Sequence, residues 1–192
     1  MDSRTTRKFR QVLLNLIQQL PAGKIVGVEV GAATGAMGVV LLKELPDLHF
    51  YMIDAWKEFP EDCAYRKSGD KRSRLSEAAH LERKRLAIES TEFASDRRTI
   101  IHALSANAIS QVPPNIDFVF IDASHAYEDV KLDLELWWPV LRPGGLFSGH
   151  NYGEHPGWGV KEAVDEFMAA KQLKFEFEES SVWWHWKAAH SA

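Results

Sequence analysis

The chain has 192 residues and an ordinary globular composition, which fits one domain (1–192) with one core, and no second domain is expected. A net charge of −4 gives no global attraction to nucleic acid, although basic residues are unevenly spread. The single Cys63 cannot form an internal disulfide and no apolar run is long enough to span a membrane, which fits a cytoplasmic protein.

Residues 4–20 open with Arg4, Arg7, Lys8 and Arg10, then place Phe9, Val12, Leu13, Leu16, Ile17 and Leu20 at helical spacing. An N-terminal helix (1–22) packed on a sheet edge is expected, rather than a basic targeting segment, because Asp2 and the lack of a serine-rich continuation do not suit the latter. Pro21, Ala22 and Gly23 end it. Ile25, Val26, Val28 and Val30 then make a short β-branched run of the kind found in a central parallel strand. The turn that follows, Gly31-Ala32-Ala33-Thr34-Gly35, leads into a helix. Small residues there clear the approach to the backbone N–H groups at that helix's positive end, which is a seat for a cofactor.

The next strand, 49–54, ends in Asp54, a carboxylate able to accept hydrogen bonds from both hydroxyls of a ribose. Ala33 stands where the second glycine of a dinucleotide fingerprint would be, and Glu29 precedes the first glycine. A carboxylate there repels a pyrophosphate and attracts a cationic ligand.

Residues 55–98 are too many for a simple strand-to-strand connection and read as an insertion, or lid, over the cofactor site. Its Arg66, Lys67, Lys71, Arg72, Arg74, Arg83, Lys84 and Arg85 form either a solvated charged face or a grip on an anionic substrate. Trp56 either stacks near the cofactor or packs. A short strand at 99–102 leads to the loop containing Ser105 and Ala106, with Ser105 also a candidate helix cap.

The apolar strand at 116–122 ends in Asp122, at the carboxyl end of the sheet where open α/β sheets bind their ligands. Asp122 and His125, three residues apart, can hold a metal or cofactor-side charge with the first and take a proton with the second; a helix-capping role for His125 is the alternative. A helix over 127–141 follows, with Trp137 and Trp138 as core or interface residues. Then come a turn at 142–145, a strand at 146–148 and the group His150-Asn151-Tyr152. A glycine-rich loop holding Trp158, as an acceptor wall or a loop anchor, a helix over 160–168 and a closing hairpin at 174–178 and 182–187 complete the chain.

Glu29-x-Gly31-x-x-x-Gly35, Asp54, Asp122 and the Leu141-Arg142-Pro143-Gly144-Gly145 run resemble the successive motifs of class I S-adenosylmethionine-dependent methyltransferases. The resemblance implies a three-layer α/β, Rossmann-like fold whose mostly parallel seven-stranded sheet has an antiparallel last strand. It implies S-adenosylmethionine as cofactor, held by Glu29, Gly31, Ala33, Gly35, Asp54, Ala55, Trp56, Ser105, Ala106 and Asp122.

Asp122-x-x-His125-x-Tyr127 further resembles the metal-dependent small-molecule O-methyltransferases, those acting on macrolide sugars above all and catechol-type enzymes more distantly. By that resemblance Asp122 binds a divalent ion and His125 is the general base on a hydroxyl of a small-molecule acceptor. His150 departs from the pattern, which carries an acidic residue there. Three readings of the metal stay open: magnesium at Asp122 and Asn151, manganese or a softer ion using His150, or none. Methylation of nucleic acid or protein, and a non-catalytic or NAD-binding nucleoside domain, are the rival functions. Exposed tryptophans would leave a homodimer open.

Overall fold

The computed structural model describes residues 3–189, with side chains from Lys8 onward. In chain order the elements are α1 (Ser3–Ile17), β1 (Ile25–Val30), α2 (Ala36–Glu44), β2 (Leu48–Asp54), α3 (Ala64–Lys67), α4 (Glu77–Ser90), β3 (Arg98–His102), α5 (Ser105–Ala108), β4 (Ile116–Ile121), α6 (Tyr127–Trp137), β5 (Leu141–Gly149), α7 (Val160–Ala170), β6 (Glu176–Phe177) and β7 (Trp183–Trp186). The strands form one sheet in the order β3-β2-β1-β4-β5-β7-β6. The first five run parallel and β7 is antiparallel to β5, so the expected mostly parallel sheet with a reversed last strand forms.

Two apolar layers close the sheet. Phe9, Leu13 and Ile17 of α1, Leu41 and Leu42 of α2 and Ala87 of α4 pack on one face against Phe50, Phe118 and Phe120. Val130, Leu134 and Trp137 of α6, with Val164 and Phe167 of α7, cover the other. Strand order reverses direction between β1 and β4, and at such a switch point the loops diverge and open a crevice beyond the carboxyl ends of the strands.

Three expectations need correction. The apolar stripe of α1 lies on the sheet face over central β4, not on the edge, because α2 and β4 already present the large apolar surface it fills. The helix after β4 stops at Trp137 rather than 141. Residues 142–145 belong to β5 as a bulge: Ile116 pairs with Leu141 but Phe118 pairs with Leu146. There Arg142 Nε donates to Asp117 at 2.7 Å, and a Cβ on Gly145 would come within 2.9 Å of the Asp117 carbonyl oxygen. The seven tryptophans are buried or half-buried. Among the described residues no helix is long and apolar enough to cross a membrane.

Candidate active site

At the end of β1 the chain turns under the end of β4. A Cβ on Gly31, at φ +101°, would sit 2.2 Å from the Asp122 carbonyl oxygen, so close approach of two strand ends dictates the glycine. A Cβ on Gly35 (φ +76°) would likewise come within 2.9 Å of the Ala87 Cα of α4. Four N–H groups of this turn are already engaged. Those of Gly31 and Ala32 donate to the Ile53 carbonyl at 2.8 and 2.9 Å, that of Ala33 to Asp54 Oδ2 at 2.8 Å and that of Gly35 to the Ala32 carbonyl at 2.8 Å. A turn with its donors so engaged is a poor cradle for a pyrophosphate.

Asp54 is the brace of this loop. Its other oxygen accepts from the Trp56 N–H at 2.8 Å, and the Trp56 indole donates to the Ala33 carbonyl at 2.7 Å. Trp56 is thereby fully buried behind the wall and offers no face for a cofactor to stack on.

A cavity of about 420 Å³ fills the crevice. Glu29, Gly31, Ala33, Asp54, Ala55, Ser105, Ala106, Asp122, His150 and Asn151 line it; Gly35, Trp56 and His125 do not. One end is acidic. Glu29 Oε2 and Asp122 Oδ1 are buried without a hydrogen-bond partner among the described residues. Burial, then the nearby charges of Asp122 and Asp54, push the Glu29 carboxyl well above its ordinary range, against the pull of Arg10. An unpartnered buried carboxyl at a cavity wall is a place for a cationic hydrogen-bond donor.

The opposite end is the loop after β3. Ser105 Oγ accepts from the Trp137 indole at 2.8 Å. It does not cap α5, whose N-cap is Leu104 with no side-chain bond. Ser105 also bonds the buried Asp133, whose carboxyl is pushed up to about 7 by burial and by Asp129, the serine holding it back. Asp133 lines the cavity and was not singled out from the sequence. The available signal was its place among Val130, Leu134 and Trp137, an acid inside the apolar stripe of α6.

His125 is 2% exposed and enclosed on three sides. Nδ1 lies 2.9 Å from Asp70 Oδ2, Nε2 lies 2.9 Å from Asn151 Oδ1 and Trp158 stacks on the ring at 3.8 Å. Asn151 in turn donates to Glu154, so its amide oxygen faces the imidazole, and both ring nitrogens look at acceptors. The imidazole thus ties the 55–98 segment to the loop after β5, with no nitrogen turned toward the cavity. Burial pushes the Asp70 carboxyl up, but the bond from His125, the Arg72 N–H and the Arg72 charge outweigh it and hold the group at about 2. Trp158 anchors this cluster.

His150 does face the cavity. Nε2 donates to the Ser180 carbonyl at 3.1 Å, which leaves Nδ1 as the free acceptor, 3.6 Å from Asp122 Oδ1. Burial lowers its basicity, but Asp122, Glu154 and the Ser180 carbonyl outweigh that and raise its pKa. Phe9 of α1 covers the ring with centroids 4.2 Å apart. The metal expected at Asp122, His150 and Asn151 fits poorly. Asn151 has its oxygen turned to His125 and its nitrogen to Glu154, and the described residues contain no cluster of three His, Cys, Asp or Glu groups placed to hold an ion.

Segment 55–98 adds Phe59, Tyr65, Arg72, His80 and Arg83 to the cavity wall, and α1 adds Phe9 and Arg10. The rest of the basic run faces elsewhere: Arg85 pairs with Glu82 and Glu89, and Arg66 with Glu58.

A doubly covered, mostly parallel sheet with an acidic, glycine-turned crevice at its switch point defines a nucleoside-cofactor domain of the Rossmann-like class. A family model described as a methyltransferase domain matches residues 28–152, and the chain belongs to that family of S-adenosylmethionine-dependent methyltransferases. A comparison with curated protein sequences returns no match. Among solved structures, the fold is similar to that of the O-methyltransferase NovP (19% identity, 97% of this chain and 80% of that one, TM-score 0.64). It is also similar to CalS11, a calicheamicin methyltransferase (14%, 95% and 79%, TM-score 0.68). A third similar fold is the precorrin-6y C5,15-methyltransferase of Geobacter metallireducens (15%, 94% and 88%, TM-score 0.66).

Proposed function

We propose that the chain transfers a methyl group from S-adenosylmethionine to a hydroxyl oxygen of a small molecule. The observation that carries this is the pair of buried, unpartnered carboxylate oxygens of Glu29 and Asp122 beside a turn four of whose N–H groups are already engaged. Such a wall suits a ligand bearing an ammonium and a sulfonium and disfavours a pyrophosphate. The bound cofactor supplies a methyl group already activated on sulfur, so the protein's tasks are alignment and proton removal.

Glu29 holds the cationic methionine end, and Asp54, besides bracing the loop, lies where a ribose hydroxyl can reach its free lone pairs. Ser105 and Ala106 border the base end. His150 takes the acceptor's proton on Nδ1, and Asp122 stabilises the imidazolium that results. His125 is assigned the positioning of the loop that carries Asn151, in place of the base role that the motif resemblance implies. No step passes through a metal. Phe9, Phe59 and Tyr65 add apolar wall to a cavity of about 420 Å³, a size that suits a small acceptor better than a polymer.

The test is calorimetric titration with S-adenosylhomocysteine, before and after EDTA and against added NAD, followed by S-adenosylhomocysteine release over a panel of hydroxylated small molecules. Binding that survives EDTA and ignores NAD is expected. Displacement by NAD, or no binding, overturns the proposal.

A further inference from the structure

Four of the polar atoms left without partners among the described residues belong to residues that line the same cavity: His80 Nε2 of α4, and a group of three that feel one another's charge, Arg10 Nε, Glu29 Oε2 and Asp122 Oδ1. These three come from three elements, α1, β1 and the end of β4. Two are acids and one is a guanidinium, yet none satisfies another. Arg10 instead rests over its neighbour Phe9, with Cζ 5.4 Å from the ring centroid. The three groups are close enough to feel one another's charge: the two acids oppose the fall that burial imposes on the Arg10 guanidinium.

A simple cation would satisfy the acids and be repelled by Arg10, whereas a simple anion would meet two carboxylates. A ligand carrying both charged groups on one carbon satisfies all three.

We infer that Arg10 of α1 and Glu29 of β1 form a zwitterion clamp, in which Glu29 takes the ammonium and Arg10 the carboxylate of an amino-acid ligand end. The inference rests on the cofactor reading above and assigns α1 a binding role. Guanidinium fits carboxylate in a forked, two-bond geometry, and pairing inside a partly desolvated cavity strengthens it. The helix thereby makes binding selective for the intact amino-acid end over nucleosides that lack it. With Phe9 covering His150 one residue earlier, the same turn of α1 spans the cofactor end and the proton acceptor.

Three ligands separate the contributions: S-adenosylhomocysteine, its decarboxylated form, which keeps the amine, and methylthioadenosine, which lacks both charges. Calorimetry on the full chain is expected to rank them in that order, with about tenfold or more lost at removal of the carboxylate. Arg10→Met is expected to bring S-adenosylhomocysteine down to the level of its decarboxylated form while leaving that form's affinity unchanged. Arg10→Lys is expected to restore part of the gap, since it keeps the charge but not the fork. Glu29→Gln is expected to cut the gap between the decarboxylated form and methylthioadenosine.

Equal binding of the first two ligands by the unaltered protein overturns the clamp, as does an Arg10→Met variant that weakens all three alike, which would mean α1 acts only as a cover. Should that variant not fold, the ligand ranking and Arg10→Lys still decide. Failure of all three ligands to bind would instead overturn the cofactor reading.

Discussion

The cavity has two sides built in different ways. The turn side, from Glu29 to Gly35 with Asp54, is assembled by short connections between neighbouring strands, and backbone hydrogen bonds fix almost every group in it. The other side draws its wall from elements far apart in the chain: Phe9 and Arg10 from α1, Tyr65 and Arg72 from the 55–98 segment and His150 from the end of β5. Backbone geometry tolerates few residue types, whereas a wall of side chains can be repacked. Substitutions on the turn side should therefore cost fold and binding together, and those on the other side should cost chemistry or selectivity while the fold persists.

The sharpest break on the turn side is Gly31→Ala. The added Cβ would lie 2.2 Å from the Asp122 carbonyl oxygen at a φ of +101°, a combination no rotamer change relieves. The cost is on the order of 3 kcal/mol or more, which lowers the melting temperature by roughly ten degrees. Thermal unfolding and S-adenosylhomocysteine titration should fall together. A variant that melts normally but does not bind would mean the glycine serves the ligand rather than the strands.

On the other side, His150→Gln should lower turnover by a factor of about 10² to 10⁴ with cofactor affinity nearly unchanged, the range expected for loss of a general base. His125→Gln, which leaves Asp70 and Asn151 without their shared partner, should lower the melting temperature and spare most of the turnover. The reverse pattern would return the base role to His125.

That exchange of roles illustrates what a linear pattern can carry. Gly31, Asp54 and Asp122 were legible because strand ends and tight turns constrain residue type locally, and they fall where the motifs put them. His125 was legible as a histidine near the crevice but not as a buried one, because its burial depends on Asp70 and Trp158, separated from it by 55 and 33 residues of chain. Trp56 was legible only as a residue that either stacks near the cofactor or packs, since the side it takes is revealed by its indole bond to the Ala33 carbonyl. Arg10 sits in a basic run that looks like a solvated helix end until α1 is laid across β4.

The Asp122 and His150 pair gives a pH signature. Asp122 raises the His150 pKa above the ordinary 6.5, and a base works only when unprotonated. The acid limb of kcat/KM should then have its midpoint above 6.5. Asp122→Asn removes the stabilising charge and should move that limb to lower pH. An unmoved limb would detach His150 from the rate.

The smallest effect expected concerns Asp133. Its carboxyl titrates near 3.8 in an unfolded chain and is held at about 7 in the fold, so the folded state binds more protons across that interval. Its stabilising contribution is fully present below the lower value and is lost as pH rises through the upper one. The ligand-free protein should therefore melt several degrees lower at neutral pH than at mildly acidic pH, with Glu29, also raised, adding in the same direction. Asp133→Asn keeps a hydrogen-bonding group beside Ser105 and has no proton to lose, so the Asp133 share of the slope should vanish while that of Glu29 remains. If Asp133→Asn melts with the same pH slope as the unaltered protein, the buried charge at the β3 end is neutralised by something other than its own proton, and the acidic character of the cavity belongs to the Glu29 end alone.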